Sequence, residues 1–213
     1  MRSVLVIIAV CGVAACRAPS PLEKQAPFDF DAAPGPGPDA YGSETDLLTR
    51  WNDGGVESLR DFWESGEAGS FDGVRGVKVA YRIHRVANPK AAVVIVPGRT
   101  EAIIKFAELA RDLTAQGYST YAVTLRGQGE AGRMLPNHDK GYVEYFDDYL
   151  VDTHTFITTK VKPEVSRVFM VAHSLGGAVA VLVNDEHPDD VQAMALSSPM
   201  LAIDLGGFPA PVA

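Results

Sequence analysis

The chain has 213 residues, of which 46% are hydrophobic and 22% are charged, and this composition excludes disordered, collagen-like and polytopic membrane proteins. It is typical of one globular domain. Lys and Arg number 19 against 27 Asp and Glu, so the formal net charge is -8. The basic residues are scattered singly and form no cluster of the kind that binds a phosphate backbone. We therefore expect no nucleic-acid partner.

Residues 1–15 have the composition of a signal peptide. Arg2 supplies a positive charge, and an unbroken apolar run covers residues 4–10. This run is well below the roughly 20 residues of a transmembrane helix. Small residues then precede Cys16, which resembles the lipidation site of bacterial lipoproteins, and Cys11 is the weaker candidate. We predict a lipidated Cys16 at the mature N-terminus, which would anchor the protein in the bacterial cell envelope, at the outer membrane or the periplasmic face. The alternative is an ordinary secretory peptide.

Residues 16–40 are rich in proline and glycine and include Pro-Gly-Pro-Gly-Pro at 34–38. Such a composition predicts an extended tether, with a propeptide as the alternative. A folded domain then occupies residues 41–213. After the signal peptide the only cysteine is Cys16, so we expect neither a disulfide framework nor a thiolate metal site.

The remaining chain alternates between strand and helix patterns. Apolar residues alternate over 77–83, as in a half-exposed strand, whereas 91–96 is uniformly apolar, as in a parallel strand covered on both faces. The following segments predict, in chain order, a helix over 103–116, a strand over 118–125, a helix over 146–157, a strand over 167–172, a helix over 175–187 and a strand over 191–196. Strands that alternate with helices form βαβ units, so we predict a doubly wound α/β sheet.

The clearest chemical signal is the sequence Val-Ala-His-Ser-Leu-Gly-Gly at 171–177, where a predicted strand meets a predicted helix. A nucleophile elbow has this form, because a tight turn there projects the serine hydroxyl above the sheet and small residues avoid collisions. Ala172 replaces the first glycine of the pattern, whereas Gly176 and Gly177 allow the helix to pack closely. Ser174 is thus a candidate nucleophile, and the alternative is a serine that only caps the helix.

A second signal is the sequence Pro-Gly-Arg-Thr-Glu at 97–101, which follows the buried strand and opens a helix. A tetrahedral intermediate needs two N–H donors, and the backbone N–H groups of Leu175 and Arg99 could supply them, helped by a helix N-terminus. The alternative is a glycine turn with an exposed arginine. We expect the His173 side chain to point away from Ser174 and to serve packing, since neighbours on a strand alternate.

These sequences resemble the bacterial lysophospholipase branch of the α/β-hydrolases, which is related to monoglyceride lipases and serine aminopeptidase-like hydrolases. The resemblance spans 63–202 and includes, besides the two sequences above, Phe-Asp-Gly at 71–73, Arg-Gly-Gln-Gly at 126–129 and Phe-Asp-Asp-Tyr at 146–149. It implies a mostly parallel α/β-hydrolase sheet in which Arg126 shapes a strand-end loop. Thr124 is a departure, since the family commonly has Asp there. The site residues implied are Ser174 as nucleophile, Leu175 and Arg99 as oxyanion donors, and Ala172, His173, Gly176 and Gly177 as support for the elbow.

The resemblance also implies the activity of a serine hydrolase. Its substrates would be lipid-derived carboxylic esters of the lysophospholipid or monoacylglycerol kind, cleaved through an acyl-enzyme without cofactor or metal. The membrane would be contacted through the lipid anchor.

The acid and base of a catalytic triad are not evident in the sequence. In this class they follow the serine in the order Asp or Glu, then His. The only later histidine is His187, which the predicted helix would hold roughly 20 Å from the serine. We interpret Asp185, Asp189 and Asp190 as solvated surface, and the earlier histidines His84, His138 and His154 do not match the family's base.

We therefore expect residues 41–213 to be the N-terminal part of an α/β-hydrolase domain, truncated after the strand that follows the Ser174 helix. These residues alone should then show almost no activity. The alternative is a degenerate lipoprotein that binds lipid or protein without turnover.

Overall fold

The computed structural model describes residues 5–9, by their backbone, and residues 55–202. The lipidation site Cys16 and the tether at 16–40 lie outside the described residues, and their assignments remain predictions. Residues 5–9 belong to the same compact unit as the described residues from Arg60 onward. In the described part, no helix combines the length and apolarity that a bilayer crossing requires.

One sheet of seven strands organises the described residues, in the order β1-β7-β6-β4-β5-β3-β2. Strand β3 pairs antiparallel with both β2 and β5, and the other neighbouring strands pair in parallel. The predicted doubly wound, mostly parallel α/β sheet is thereby confirmed. The strands are β1 (Leu5–Ala9), β2 (Glu67–Asp72), β3 (Lys78–His84), β4 (Ala92–Val96), β5 (Ser119–Val123), β6 (Val168–His173) and β7 (Ala193–Ser197).

Four α-helices accompany the sheet in the described part of the chain. A 3₁₀ turn, Ile103–Phe106, precedes α2, and a π-helical turn, Ile157–Val161, continues α3. The helix predicted from residue 103 ends as expected, since Gly117 adopts a positive φ of 86° that stops it. The helices are α1 (Gly55–Ser65), α2 (Ala107–Ala115), α3 (Asp147–Phe156) and α4 (Leu175–Glu186).

Strand β1 uses the apolar run that the sequence predicts to be the core of a signal peptide. Its residues pair in parallel with β7, from Leu5 opposite Ala193 to Ala9 opposite Ser197. An apolar run of this length suits a strand as well as a signal peptide. The signal-peptide assignment therefore remains a prediction, and cleavage before Cys16 would expose the β7 edge.

The central strands bring the two sequence motifs together. Every residue of β4 and β5 is buried, as their unbroken apolar or small side chains predict. Val96 at the end of β4 lies opposite Ala172 in β6, and His173 lies opposite Ser197 in β7. Because these three strands run in parallel, their carboxyl ends share one edge of the sheet, where the loop at 97–101 meets Ser174.

Candidate active site

Ser174 occupies a strained turn between β6 and α4. Its φ is 51° and its ψ is -117°, values that few residues other than glycine adopt. The turn is fixed from both sides, because the Ser174 N–H donates to the Ser197 carbonyl at 3.0 Å and the Ser174 carbonyl accepts from the N–H groups of Gly177 and Met200, both at 2.9 Å. The side chain makes no capping hydrogen bond to the helix. The geometry is that of an elbow and differs from that of an ordinary N-cap.

The small residues around the serine are explained by close backbone approach. A Cβ added at Gly176 would lie 2.5 Å from the carbonyl oxygens of both Val96 and Pro97. At Gly177 an added Cβ would lie 2.7 Å from the Pro199 Cβ. Ala172 is fully buried under the turn. The first turn of α4 therefore packs directly on the end of β4, as the sequence predicted from the two glycines.

The loop at 97–101 passes beside the serine. A Cβ added at Gly98 would lie 3.1 Å from the Ser174 Cβ, so the backbone of the loop is in contact with the elbow. The Gly98 N–H is already used, since it donates to a carboxylate oxygen of Glu101 at 2.6 Å. Within residues 55–202 the N–H groups of Arg99 and Leu175 make no hydrogen bond to another described residue. Both candidate oxyanion donors are thus available.

Glu101 ties this loop to the residue before the serine. One of its carboxylate oxygens binds the Gly98 N–H and lies 3.0 Å from Nδ1 of His173, and the other pairs with Lys105. Burial by itself would raise the pKa of Glu101, but Lys105, the Gly98 N–H and His173 together hold that pKa below its usual value. The carboxylate is therefore charged at neutral pH and can hold both groups.

The packing role that we expected for His173 is corrected by this contact. The His173 side chain is 35% exposed, and its ring is directed at Glu101. Alternation along β6 could not reveal this contact, because the partner comes from another loop.

Gln128 clamps the loop from the opposite side, a role that the sequence did not reveal. Its amide oxygen accepts from the Thr100 N–H at 2.9 Å, and its amide nitrogen donates to the carbonyls of Gly98 and Glu101 at 2.7 and 3.2 Å. The amide is buried, so these bonds form away from competing water. Its position in the Arg-Gly-Gln-Gly sequence was the only available signal.

Arg126, as expected, shapes the loop that follows β5. Its guanidinium is completely buried and donates to Asp152 in α3 and to the Val74 carbonyl at 3.2 Å. Thr124, which stands where the family commonly has Asp, forms its own hydrogen bonds. The Thr124 hydroxyl donates to the Ala80 carbonyl at 2.6 Å and accepts from the Ala80 N–H at 3.0 Å, so it extends the pairing of β5 with β3.

None of the histidines in the described residues is hydrogen-bonded to the serine hydroxyl. His84 lies at the far edge of the sheet, opposite Thr120 near the start of β5, where its ring stacks on Phe62 at 4.3 Å. The rings of His154 and His187 stack on each other at 3.7 Å. Among residues 55–202, Ser174 makes no side-chain hydrogen bond to a histidine.

The prediction that Asp190 belongs to the solvated surface is wrong. Asp190 is only 5% exposed, and its carboxylate lies 2.6 Å from Nδ1 of His154 and 2.5 Å from Nζ of Lys162. These partners come from α3 and the segment after it. They bury a side chain that its sequence neighbours alone predict to be exposed. Groups of three or more side chains suited to hold a metal ion are absent from the described residues.

Comparisons with solved structures give the class of protein that this fold defines. A thioesterase domain from the curacin biosynthetic pathway superimposes with a TM-score of 0.55 at 19% identity, covering 67% of this chain and 49% of that one. An α/β hydrolase from Novosphingobium aromaticivorans gives a TM-score of 0.51 at 20% identity, covering 62% of this chain and 43% of that one. The fold is that of the α/β-hydrolases.

Sequence comparison then identifies the family. Residues 87–213 match the family described as Serine aminopeptidase, S33, and the chain belongs to it. The chain is 38% identical to Lysophospholipase L2 of Escherichia coli strain K12 over 146 residues, which cover 68% of this chain and 43% of that protein. Monoglyceride lipase of Rattus norvegicus is 32% identical over 115 residues, covering 53% of this chain and 36% of that protein. The chain thus spans less than half the length of these relatives.

Proposed function

We propose that the protein is a serine hydrolase that cleaves lipid-derived carboxylic esters through an acyl-enzyme on Ser174. The observation that carries the proposal is the positive φ of 51° at Ser174, in a turn whose neighbour is the backbone of Gly98. A serine held in this conformation costs free energy, and such strain concentrates at functional sites. The relatives named lysophospholipase and monoglyceride lipase support a lysophospholipid or monoacylglycerol as the ester.

The proposed reaction begins when the Ser174 hydroxyl oxygen attacks the ester carbonyl carbon. The carbonyl oxygen becomes an oxyanion, which would accept hydrogen bonds from the N–H groups of Arg99 and Leu175 near the N-terminus of α4. Collapse of the intermediate breaks the bond from the carbonyl carbon to the alcohol oxygen, which takes up the proton that Ser174 has given to the base, and leaves the acyl group on Ser174. Attack by water on this ester then releases the fatty acid and restores the hydroxyl, and no cofactor takes part.

The fixed loop at 97–101 supports this assignment. An oxyanion hole works only if its donors are held in place before the reaction. The backbone at 98 and 101 is bound by Gln128, and the Glu101 carboxylate is bound to both the Gly98 N–H and His173. The loop is therefore organised without substrate, while the Arg99 N–H is left open.

The proposal requires a general base to take the proton from Ser174, and in this class the base is a histidine. All five histidines of the sequence lie within residues 55–202 and none of them is hydrogen-bonded to the Ser174 side chain, so the described residues supply no base for the proposed step. The same observation favours a second candidate function. A degenerate α/β-hydrolase lipoprotein without a base would bind lipid or protein and would not turn it over.

The two functions are separated by a fluorophosphonate probe, which forms a covalent bond only with an activated serine. The protein expressed from its own gene is treated with the probe, and the labelled peptide is identified by mass spectrometry. In parallel, hydrolysis of a short-chain nitrophenyl ester and of lysophosphatidylcholine is measured. We expect the label on Ser174, and we expect Ser174→Ala to lower turnover by several orders of magnitude.

Ser70→Ala is the matched control, because Ser70 is an exposed serine on β2 away from the elbow. It should leave labelling and turnover unchanged. If the wild-type protein is neither labelled nor active yet still binds lysophosphatidylcholine, the hydrolase proposal is overturned in favour of the binding protein.

A further inference from the structure

A small cavity lies next to the loop at 97–101 and is not used by the proposed chemistry at Ser174. Its volume is about 220 Å³. The loop supplies Arg99 and Thr100, the segment after β5 supplies residues 126–128, residues 141–143 form another wall, and Tyr149 of α3 completes the lining. The cavity therefore adjoins the residue whose N–H is the proposed oxyanion donor.

Tyr149 contributes a polar group that lacks a partner. Its side chain packs in the core against Phe146, and the residue is 7% exposed. The Tyr149 hydroxyl makes no hydrogen bond to any described residue, although the residue lines the cavity. The hydroxyl oxygen is not one of the fully buried side-chain atoms that lack a partner, so solvent in the cavity reaches it. This hydroxyl is suited to a ligand in the cavity.

Arg99 contributes a positive charge that the protein does not neutralise. Among the described residues its guanidinium forms no ion pair, and the side chain is exposed at the cavity. The other arginine of the lining, Arg126, is already paired with Asp152 and Asp148. Burial raises the pKa of Tyr149, whereas Arg99 and Arg126 lower it, so the hydroxyl lies within the field of both charges.

The chemistry of these free groups defines the ligand. The Arg99 guanidinium is a donor without acceptor capacity, and the Tyr149 hydroxyl can donate as well. The amide of Gln128 is fully used by the loop, so it offers neither group to a ligand. Donors with a net positive charge favour an anion, and a guanidinium matches the oxygens of a phosphate group.

We propose that this cavity is a phosphate subsite, in which Arg99 and Tyr149 bind a phosphate carried by the alcohol part of the ester substrate. The inference rests on the proposed function, because it places the ester carbonyl at Ser174 and the phosphate beside it. The substrate class is then an acyl ester of a phosphate-bearing alcohol, in preference to a neutral monoacylglycerol. Free phosphate shares the same chemistry and has to be separated by experiment.

Binding is tested by titration calorimetry with three probes, namely sn-glycerol 3-phosphate, inorganic phosphate and neutral glycerol. The protein is the Ser174→Ala variant, so binding is measured independently of turnover. We expect sn-glycerol 3-phosphate to bind and glycerol not to bind. Tyr149→Phe, which removes only the hydroxyl, should weaken binding of the phosphate ester about tenfold. Tyr145→Phe is the matched control, since Tyr145 is an exposed tyrosine outside the cavity lining.

Substrate preference is tested with two esters that share one acyl chain, lysophosphatidic acid and monoacylglycerol. The ratio of their kcat/KM values should fall about tenfold in Tyr149→Phe and remain at the wild-type value in Tyr145→Phe. Equal binding of glycerol and its phosphate, or a ratio that Tyr149→Phe does not change, overturns the subsite. Inorganic phosphate binding as tightly as the ester, with an unchanged ratio, overturns the assignment to a substrate group.

The outcome also separates this inference from the proposed function. If Ser174 is inert toward esters but sn-glycerol 3-phosphate binds in a Tyr149-dependent manner, the hydrolase proposal fails and the phosphate site stands as a binding site. If Ser174 hydrolyses both esters and Tyr149→Phe changes neither binding nor preference, only the subsite fails.

Discussion

Arg126 and Asp152 form a two-fold hydrogen-bonded ion pair inside the protein, with Nε to Oδ2 and Nη2 to Oδ1 both at 2.7 Å. The pair joins the loop after β5 to α3, and the same carboxylate accepts from the Val74 N–H at 2.9 Å. Burial raises the pKa of Asp152 in spite of both donors, so the charged carboxylate is held against a desolvation cost. The loop that carries Gln128 thus depends on an arginine that cannot be removed without leaving a buried charge.

The first prediction concerns this pair. Arg126→Met should lower the free energy of unfolding by about 3–5 kcal/mol, because an unpaired buried carboxylate remains. Urea denaturation measures the change. Lys78→Met is the control, since the Lys78–Asp72 pair is exposed and should contribute less than about 1 kcal/mol. If both variants lost the same free energy of unfolding, the buried pair would stabilise the protein no more than the exposed one.

The second prediction concerns the close contact of α4 with β4. Gly176→Ala should destabilise the protein by about 1–3 kcal/mol or more, because the added Cβ meets two backbone oxygens that cannot rotate away. Thermal unfolding checks this. Gly141→Ala is the matched change, since its nearest atom would be the Gly127 carbonyl oxygen at an ordinary 3.6 Å. A Gly176→Ala protein as stable as Gly141→Ala would contradict the packing described here.

The third prediction is a pH dependence that arises from His84. Burial lowers the pKa of this imidazole below 6.5, and its Nε2 lies 3.0 Å from the Phe62 carbonyl. The unfolded chain therefore binds a proton near pH 6.5 while the folded protein does not. Stability should be full above that pH and should fall as the pH drops from about 6.5 toward the lower folded pKa, by up to about 1.4 kcal/mol per pH unit.

The measurement is the free energy of unfolding at pH 7.5 and 5.5 for the wild type and His84→Gln. The variant cannot titrate in this range, so its loss between the two pH values should be smaller. His138→Gln, at an exposed loop position, should retain the wild-type slope. If His84→Gln and wild type lose the same free energy, another group governs this range.

The fourth prediction treats Glu101 as a positioning residue for the proposed hydrolase. Glu101→Gln retains the size of the side chain but removes the charge that holds the Gly98 N–H and His173. We expect kcat for a nitrophenyl ester to fall about tenfold with little change in KM, because the loss affects transition-state donors more than binding. Lys105→Gln, which removes only the exposed partner of Glu101, is the control. If Glu101→Gln lowered the stability but left kcat unchanged, Glu101 would have only a structural role.

The fifth prediction concerns the membrane anchor, and it comes from the sequence. Cys16→Ser should move the protein from the membrane to the soluble fraction, because stable attachment requires more than one acyl chain and a lipidated cysteine would supply them. Cell fractionation and labelling with a fatty-acid analogue measure this. Cys11→Ser should have no effect. Membrane retention of the Cys16→Ser protein would assign the anchor to another segment.

Patterns that extend over several neighbouring residues were sufficient to predict the central architecture. The uniform apolarity at 91–96 predicted the buried strand β4, and small residues around Ser174 predicted a tight turn and the close approach of α4. In contrast, β2 and α1 were not predicted. Strand β2 is mostly exposed and contains a single large apolar residue, so only its pairing with β3 defines it.

The tertiary structure alone decided which polar groups work together. Glu101 and His173 are 72 residues apart in the chain, and Asp190 lies 36 residues from His154 and 28 from Lys162. Local sequence shows each of these side chains as polar and therefore as exposed surface. Whether it is buried or paired depends on what distant segments bring to it, since the free energy of a charged group is set by its surroundings in space. The sequence by itself thus determined the central strands and the elbow, and the folded chain determined the edge strands, the network around the elbow and the open hydroxyl of Tyr149.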